Sequence, residues 1–378
     1  MRILLVGDIL NGHSGSPKIL KYIARALQKE RVEVKLIFFG ETKDSSNIKQ
    51  ELNGLDCVIW KNKILHLLES PLRFYINKTH TSFKEEDVTS ILGQFNLWRW
   101  IRGMGFQPDN VIYLNLWSSF GSLIAPTNKK NAVFLHETPL FEDFNPIVKF
   151  ILRLSLRILM KKLTTLSTTE RVRESTQNLY GLPVQLASVL HFDDFQPIRK
   201  EDFVLLDSRW SYERDPYFVI DLAKELGNYP IVMHGFFPDR AIEMDLKMKV
   251  QEKKLNVKII GGLTETELSN LYDMAKVIVR WHANVEEGPS ASVIQGISHN
   301  CIPVVTRNLG SAEVIGENIS NEIVVEKDAK EIASVVSKLL TEDVLYSEVL
   351  KRLIEYKRKN SWTTFSKELI SKLGDDND

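Results

Sequence analysis

Apolar residues in this chain form short uninterrupted runs that alternate with stretches of helical spacing. Arg2–Val6 (RILLV) is a continuous apolar run, the mark of a strand buried on both faces. Gly7 to Pro17 reads as a glycine-rich turn. Lys18–Lys29 then carries Ile19, Tyr22, Ile23, Ala26 and Leu27 at helical spacing. Val32–Phe39 is a second strand. Strand, helix, strand with a glycine-rich first turn is a βαβ unit, which implies a parallel sheet. Further strands fit Cys57–Trp60, Asn110–Leu116, Ala132–Leu135, Leu163–Ser167 and Gln185–Leu190.

The rhythm restarts after the charged, proline-containing joint HFDDFQPIRKED. Phe203–Asp207 is a strand and Pro216–Leu226 a helix, followed by strands at Pro230–His234 and Val257–Gly261. Thr264–Met274 is a helix opened by a capping box, Thr264 with Glu267 three residues on. Val277–Arg280, Pro303–Thr306 and Glu322–Val325 complete a second parallel sheet, and Asp328–Leu340 and the segments after it are helical. The pattern predicts an α/β protein of two doubly wound Rossmann-like domains facing a cleft, with a boundary near residue 198. Residues 1–198 form the first domain, 199–355 the second, and 356–378 a C-terminal helix that crosses back to the first. Ligands in such folds bind outside the carboxyl ends of the strands, which places the site in the cleft.

Bulk properties narrow the function. The 378 residues exceed one ordinary core, and two domains of roughly 150–200 residues are the default. Lys plus Arg and Asp plus Glu both number 49, so no global basic field points to nucleic acid. Two cysteines, Cys57 and Cys301, stand in unrelated contexts, which argues against a disulfide framework and a Cys/His metal cluster. The opening MRILLVGD lacks a long apolar core and cleavage site, so it is not read as a signal peptide. No run of about 18 apolar residues is present. A cytoplasmic location is expected.

The densest chemistry lies in Glu287 to Val305, EGPSASVIQGISHNCIPVV. It reads as loop, helix N-terminus, helix and strand. A helix N-terminus offers unpaired amides and a partial positive charge, a ready site for phosphate, and Glu287 just ahead is a natural partner for sugar hydroxyls. Together they suggest a nucleotide-sugar site. Arg209 and Arg214 follow the first strand of the second domain, where two cations suit a diphosphate; a charged surface loop is the plainer reading. In the first domain, Gly12 and Gly15 sit in the first strand–helix turn and permit close backbone approach, although an ordinary flexible turn reads as well. His136 follows the strand Ala132–Leu135, placed for a cleft or as a satisfied structural histidine; Glu137 beside it is a weaker acceptor-side candidate.

Several short motifs resemble glycosyltransferase family 4, whose members are retaining enzymes of GT-B fold. They are Ser208-Arg209 with Arg214, the joint HFDDFQP, Gly261-Gly262, Glu287-Gly288 with Gln295, and Pro303-Val-Val. The resemblance runs from the MRILLVGD strand to the late NSWTTF and is most specific between residues 203 and 315. It implies that Arg209 and Arg214, the latter standing where Lys is usual, hold the donor diphosphate. Glu287 would contact the donor sugar, and His136 would lie near the reacting sugar. Gln295 matches a glutamate that usually binds the nucleotide ribose. Its amide can still bond a hydroxyl but supplies no charge. Pro289 and Ser290 also depart from the usual Phe and Gly.

The expected function is retaining hexosyl transfer from a nucleotide-diphosphate sugar to a sugar, glycan or lipid-linked acceptor. His136 and Glu287 are the expected catalytic residues. Gly15, Arg209, Arg214, Gly288, Ser290, Ala291, Ser292 and Gln295 are expected on the donor side, and Gly12 and Glu137 on the acceptor side. No metal or other cofactor is expected. A binding protein with weakened or no turnover stays open because of Gln295, Pro289 and Ser290, as does a nucleotide-sugar 2-epimerase. The first turn lacks Gly-x-Gly-x-x-Gly, which disfavours an NAD dehydrogenase. Finally, Ile147–Lys162 carries Lys149, Arg153, Arg157 and Lys161 at four-residue spacing among apolar residues. It reads as a basic amphipathic helix for peripheral contact with the membrane inner face, or equally as a domain helix with one solvated basic stripe.

Overall fold

The computed structural model describes residues 1–7, 15–39, 52, 54–60, 105–114, 117–123, 131–141, 146–187, 191–193, 200–285 and 288–374. The chain divides into two compact units. Met1–Val189 and Trp362–Asp378 form the first, and Leu190–Ser361 the second.

The first unit holds a parallel sheet of β1 (Arg2–Gly7), β2 (Glu33–Phe39), β3 (Cys57–Trp60), β4 (Asn110–Tyr113), β5 (Ala132–Leu135), β6 (Thr164–Ser167) and β7 (Gln185–Leu186). Their order is β3-β2-β1-β4-β5-β6-β7. The apolar run of β1 is explained by burial on both faces. Ile3 and Leu5 join a cluster with Leu20, Ile23 and Leu27 of the helix Gly15–Lys29 and with Trp362, Phe365 and Leu369 of the helix Trp362–Gly374. Leu4 and Val6 point the other way, into a cluster with Leu152, Leu156 and Leu159 of the helix Pro146–Lys162. Tyr22 stacks on Trp362 at 5.2 Å between ring centroids, which seats the late NSWTTF segment in this unit from Trp362 onward.

The second unit repeats the plan with β8 (Glu201–Arg209), β9 (Ile231–Phe236), β10 (Val257–Ile260), β11 (Ala275–Arg280), β12 (Ile302–Thr306) and β13 (Val324–Val325), ordered β10-β9-β8-β11-β12-β13. Val204 and Leu206 of β8 face one cluster, and Phe203 and Leu205 the opposite one. Helices Phe218–Leu226, Ala291–Ser298 and Ala329–Thr341 supply the larger cluster. The expected capping box is present, with Thr264 and Glu267 exchanging hydrogen bonds. Two α/β units with doubly wound parallel sheets are the predicted fold class.

Some boundaries differ from expectation. The first helix starts at Gly15, not Lys18. Pro17 lies in its first turn, where a missing N–H costs no intrahelical bond. Strand β4 ends at Tyr113, short of Leu116, and β13 is only Val324–Val325, because Asn321–Ile323 form a 3-10 turn capped by Ser320. The helix Arg240–Glu252 was not foreseen; only Ile242, Leu246 and Val250 of it are buried, a thin apolar row.

Candidate functional site

In the second unit, strands are added outward from β8 to β9 and β10 on one side, and from β11 to β12 and β13 on the other. The order therefore reverses between β8 and β11, which are neighbours. Loops diverge at the carboxyl ends of such a pair and leave a crevice. Both strands end in an arginine there, Arg209 on β8 and Arg280 on β11. Arg209 is exposed, whereas Arg280 is only 4% exposed.

A buried guanidinium must place its donors. Arg280 Nε donates to Ser290 Oγ at 3.1 Å, and another of its nitrogens donates to the Trp281 carbonyl at 2.6 Å. Ser290 is the N-cap of the helix Ala291–Ser298 and has extended backbone, φ −80° and ψ 120°. An N-cap serine ordinarily accepts from an amide of the first turn. Here its hydroxyl serves Arg280 instead, lies 3.0 Å from the Ser292 hydroxyl, and caps no backbone amide. The first-turn amides, with the helix's partial positive charge, are thus reinforced by a buried cation rather than satisfied by a side-chain oxygen. Both Ser290 and Ser292 are buried. Gly296 lets this helix lie close on β11, because a Cβ there would sit 2.7 Å from Ile278 Cγ2.

The end of β8 is held rigidly. Trp210 donates through its backbone N–H to Phe236 O and through its indole to His234 O, both at 2.8 Å. Gly235 has φ +142°, and a Cβ there would lie 1.7 Å from Ser208 O, so no side chain fits at this edge. Asp207 lies 2.8 Å from His234 Nδ1 and accepts from the Tyr272 hydroxyl at 2.5 Å.

Beyond Arg209 the chain makes a 3-10 turn, Tyr212–Arg214, closed by Asp215 in the left-handed region at φ 44°, a conformation Asp tolerates. Lys327 pairs with the Asp215 carboxylate, and the Trp281 indole donates to the Asp215 carbonyl at 3.1 Å. Ala283 N–H donates to Glu213 O at 2.9 Å. The turn carrying Arg214 and the loop after β11 therefore brace each other. Asn308 completes the brace. Its amide donates to the His282 carbonyl at 3.0 Å and to that of Asn284, and its oxygen accepts from Thr306 Oγ1.

The structure thus gathers Ser290, Ala291 and Ser292 around the helix start, with Gly288 in the loop before it. Half-buried Gln295 stands farther along that helix, Arg209 ends β8, and Arg214 lies in the turn braced to the loop after β11. Glu287 and Gly12 lie outside the described residues. In the first unit, Gly15 is the first residue of its helix. His136 directly follows β5, with Nε2 2.7 Å from Leu114 O, next to the end of β4. A carbonyl only accepts, so Nε2 carries the proton and Nδ1 is the acceptor. Burial pushes the His136 pKa below its ordinary value, with the Leu114 hydrogen bond opposing more weakly, so the ring is neutral near pH 7. Glu137 beside it is exposed.

Arg280, Lys327 and Asn308 were missed in the sequence. A signal existed for Arg280: a charge closing the apolar run of β11 at its carboxyl end. Nothing local announces Lys327, whose partner Asp215 is 112 positions away.

Comparison with known proteins fits this geometry. The fold is that of GT-B glycosyltransferases. Residues 191–360, nearly the whole second unit, match the family model described as Glycosyl transferases group 1. No curated protein sequence matches the chain. Among solved structures, Alr3699/HepE from Anabaena, in complex with UDP-glucose, aligns over 99% of both chains at 12% identity and TM-score 0.71. A glycosyltransferase from Rickettsia africae aligns over 98% of this chain and 97% of its own, at 15% identity and TM-score 0.71. A TarM variant from S. aureus, in complex with fondaparinux, α-GlcNAc-glycerol and UDP, aligns over 99% of this chain and all of its own, at 12% identity and TM-score 0.71.

Proposed function

We propose that the chain is a family 4 glycosyltransferase. It transfers a hexosyl group from a nucleotide-diphosphate sugar, with retention at the anomeric carbon, to a sugar, glycan or lipid-linked acceptor. The observation that carries this reading is the paired arginines at the strand-order reversal, Arg209 on β8 and Arg280 on β11, beside an uncapped helix start. The match of the second unit to Glycosyl transferases group 1 supports it, as do UDP and UDP-glucose bound to the structural relatives.

In this reading Arg209, Arg214 and the first-turn amides of Ala291–Ser298 hold the donor diphosphate. They stabilise the negative charge that grows on it as the glycosidic bond breaks, so no metal is required. Arg280 holds Ser290, and so the helix start, in register beneath them. Glu287 grips the donor sugar. Neutral His136 orients the reacting sugar through hydrogen bonds rather than as a cation, and Gln295 bonds the ribose. Gln295 also favours a second reading, a nucleotide-sugar-binding protein without turnover, since an amide replaces the expected carboxylate.

A thermal-shift screen with UDP, GDP, ADP and their hexose conjugates tests the donor site. One base series is expected to raise the Tm of the wild-type protein, because a ligand that binds only the native state stabilises it. The shift should vanish in the Arg209→Ala, Arg214→Ala double variant. No shift with any nucleotide would sink the reading.

A further inference from the structure

The helix Pro146–Lys162 has two apolar faces. Leu152, Leu156, Leu159 and Met160 enter the core of the first unit. On the opposite side, Ile147, Phe150, Ile151, Leu154 and Ile158 form a second row at three- and four-residue spacing, and all are exposed: 70%, 68%, 54%, 50% and 40%. At about 3.6 residues per turn these five share one face. A domain helix with a merely solvated outer face would carry polar residues there. A continuous exposed apolar row instead marks an interaction surface.

The charges select the partner. The helix contains Lys149, Arg153, Arg157, Lys161 and Lys162 and no acidic residue, in a chain whose net charge is zero. Arg157 and Lys161 are exposed along one edge of the apolar row. Arg153 turns inward to the Leu140 carbonyl at 3.3 Å, and Lys162 reaches the Leu123 carbonyl at 2.9 Å. Those two bonds pin the helix and leave the apolar row facing outward. Leu140, itself 41% exposed, lies on the segment after His136 that the Arg153 bond ties to this helix.

We infer that this face docks on an anionic lipid bilayer. The apolar row enters the headgroup boundary, and Arg157 and Lys161 meet the lipid phosphates. Among the described residues no helix is long and apolar enough to cross a membrane, so the helix lies on the surface rather than spanning it. A second copy of the chain fits less well, because two such faces would bring like charges together. The inference does not depend on glycosyl transfer.

The test is co-sedimentation of the full chain with vesicles of phosphatidylcholine alone and of phosphatidylcholine mixed with an equal amount of phosphatidylglycerol. Binding is expected to the anionic vesicles, to weaken with added salt, and to be much weaker on the neutral ones. Arg157→Gln with Lys161→Gln should lower the anionic partition coefficient roughly thirty-fold, from about a five-fold effect per cation. Phe150→Ser with Leu154→Ser should abolish binding while leaving Tm and circular dichroism unchanged, since neither side chain is in the core. Equal binding to both vesicles, binding that survives both variants, or no binding by the wild type would overturn the inference. So would a dimer that Phe150→Ser dissociates without any vesicle binding. None of these results bears on the donor site.

Discussion

Arg280 and Ser290 are joined by a 3.1 Å hydrogen bond that ties the carboxyl end of β11 to the N-cap of the helix Ala291–Ser298. The bond explains why the serine does not cap its own helix. It also places a buried guanidinium under the amides proposed to hold a diphosphate. Arg280→Met keeps most of the stem and removes the cation. A lost hydrogen bond to a charged group costs about 1.5–3 kcal/mol, so calorimetric titration should show nucleoside diphosphate affinity falling at least about tenfold. Arg280→Lys should not restore it, because the ammonium lacks the planar fork. An unchanged Kd in a folded Arg280→Met protein would count against the assignment.

Gly296 makes a second prediction about the same helix. A methyl group at Gly296 would meet Ile278 Cγ2 at 2.7 Å, an overpacking of the kind that costs about 1–3 kcal/mol. Gly296→Ala should lower stability in denaturant titrations by that amount and weaken nucleotide binding as the helix start shifts. The double variant with Ile278→Ala should cost less than the sum of the two singles. Strict additivity would mean that the contact does not carry the effect.

His136 supplies the pH dependence. Its folded pKa lies below the ordinary value because burial disfavours the imidazolium. The unfolded chain therefore takes up this proton at higher pH than the folded one. The contribution to stability is full above the unfolded pKa, near 6.5, and is lost as pH falls from there toward the folded pKa. NMR titration should place the His136 transition below 6.5, and His136→Gln should flatten this part of the stability profile. A transition at or above the ordinary value would mean that burial does not dominate over the opposing hydrogen bond to Leu114.

Gln295→Glu separates enzyme from binding protein. Gln295 is half-buried on the second turn of its helix, so the change should alter Tm little. A carboxylate that accepts from a ribose hydroxyl adds about 1 kcal/mol over the amide, and nucleotide-sugar affinity should rise severalfold. If the wild type binds a nucleotide sugar and neither protein transfers it to any acceptor, the binding-only reading stands.

Much of the architecture was legible because buried parallel strands advertise themselves. Runs such as ILLV (Ile3–Val6) and VIV (Val277–Val279) must be apolar throughout to serve two cores, and they occur where β1 and β11 lie. Element ends were less legible. Pro17 reads as a turn residue, yet it fits the first turn of a helix, and Glu322 and Ile323 look extended but fold into a capped 3-10 turn. In the candidate site, Arg209 and Arg214 stood out as cations at the carboxyl end of the second domain's first strand, and Ser290 at an expected helix start. The braces were not. The bonds of Asp215 with Lys327, of Glu213 with Ala283 and of Arg280 with Ser290 depend on strand order, which no local pattern encodes.

The central claim is sugar transfer from a nucleotide-diphosphate donor with retention. The most direct measurement is NMR of the anomeric proton while the protein is incubated with the donor selected by the thermal-shift screen and a panel of sugar and lipid-linked acceptors. The account predicts nucleoside diphosphate release that depends on acceptor, and a new glycoside with the donor's anomeric configuration. An inverted product, or a nucleotide sugar epimerised without any acceptor, would contradict it.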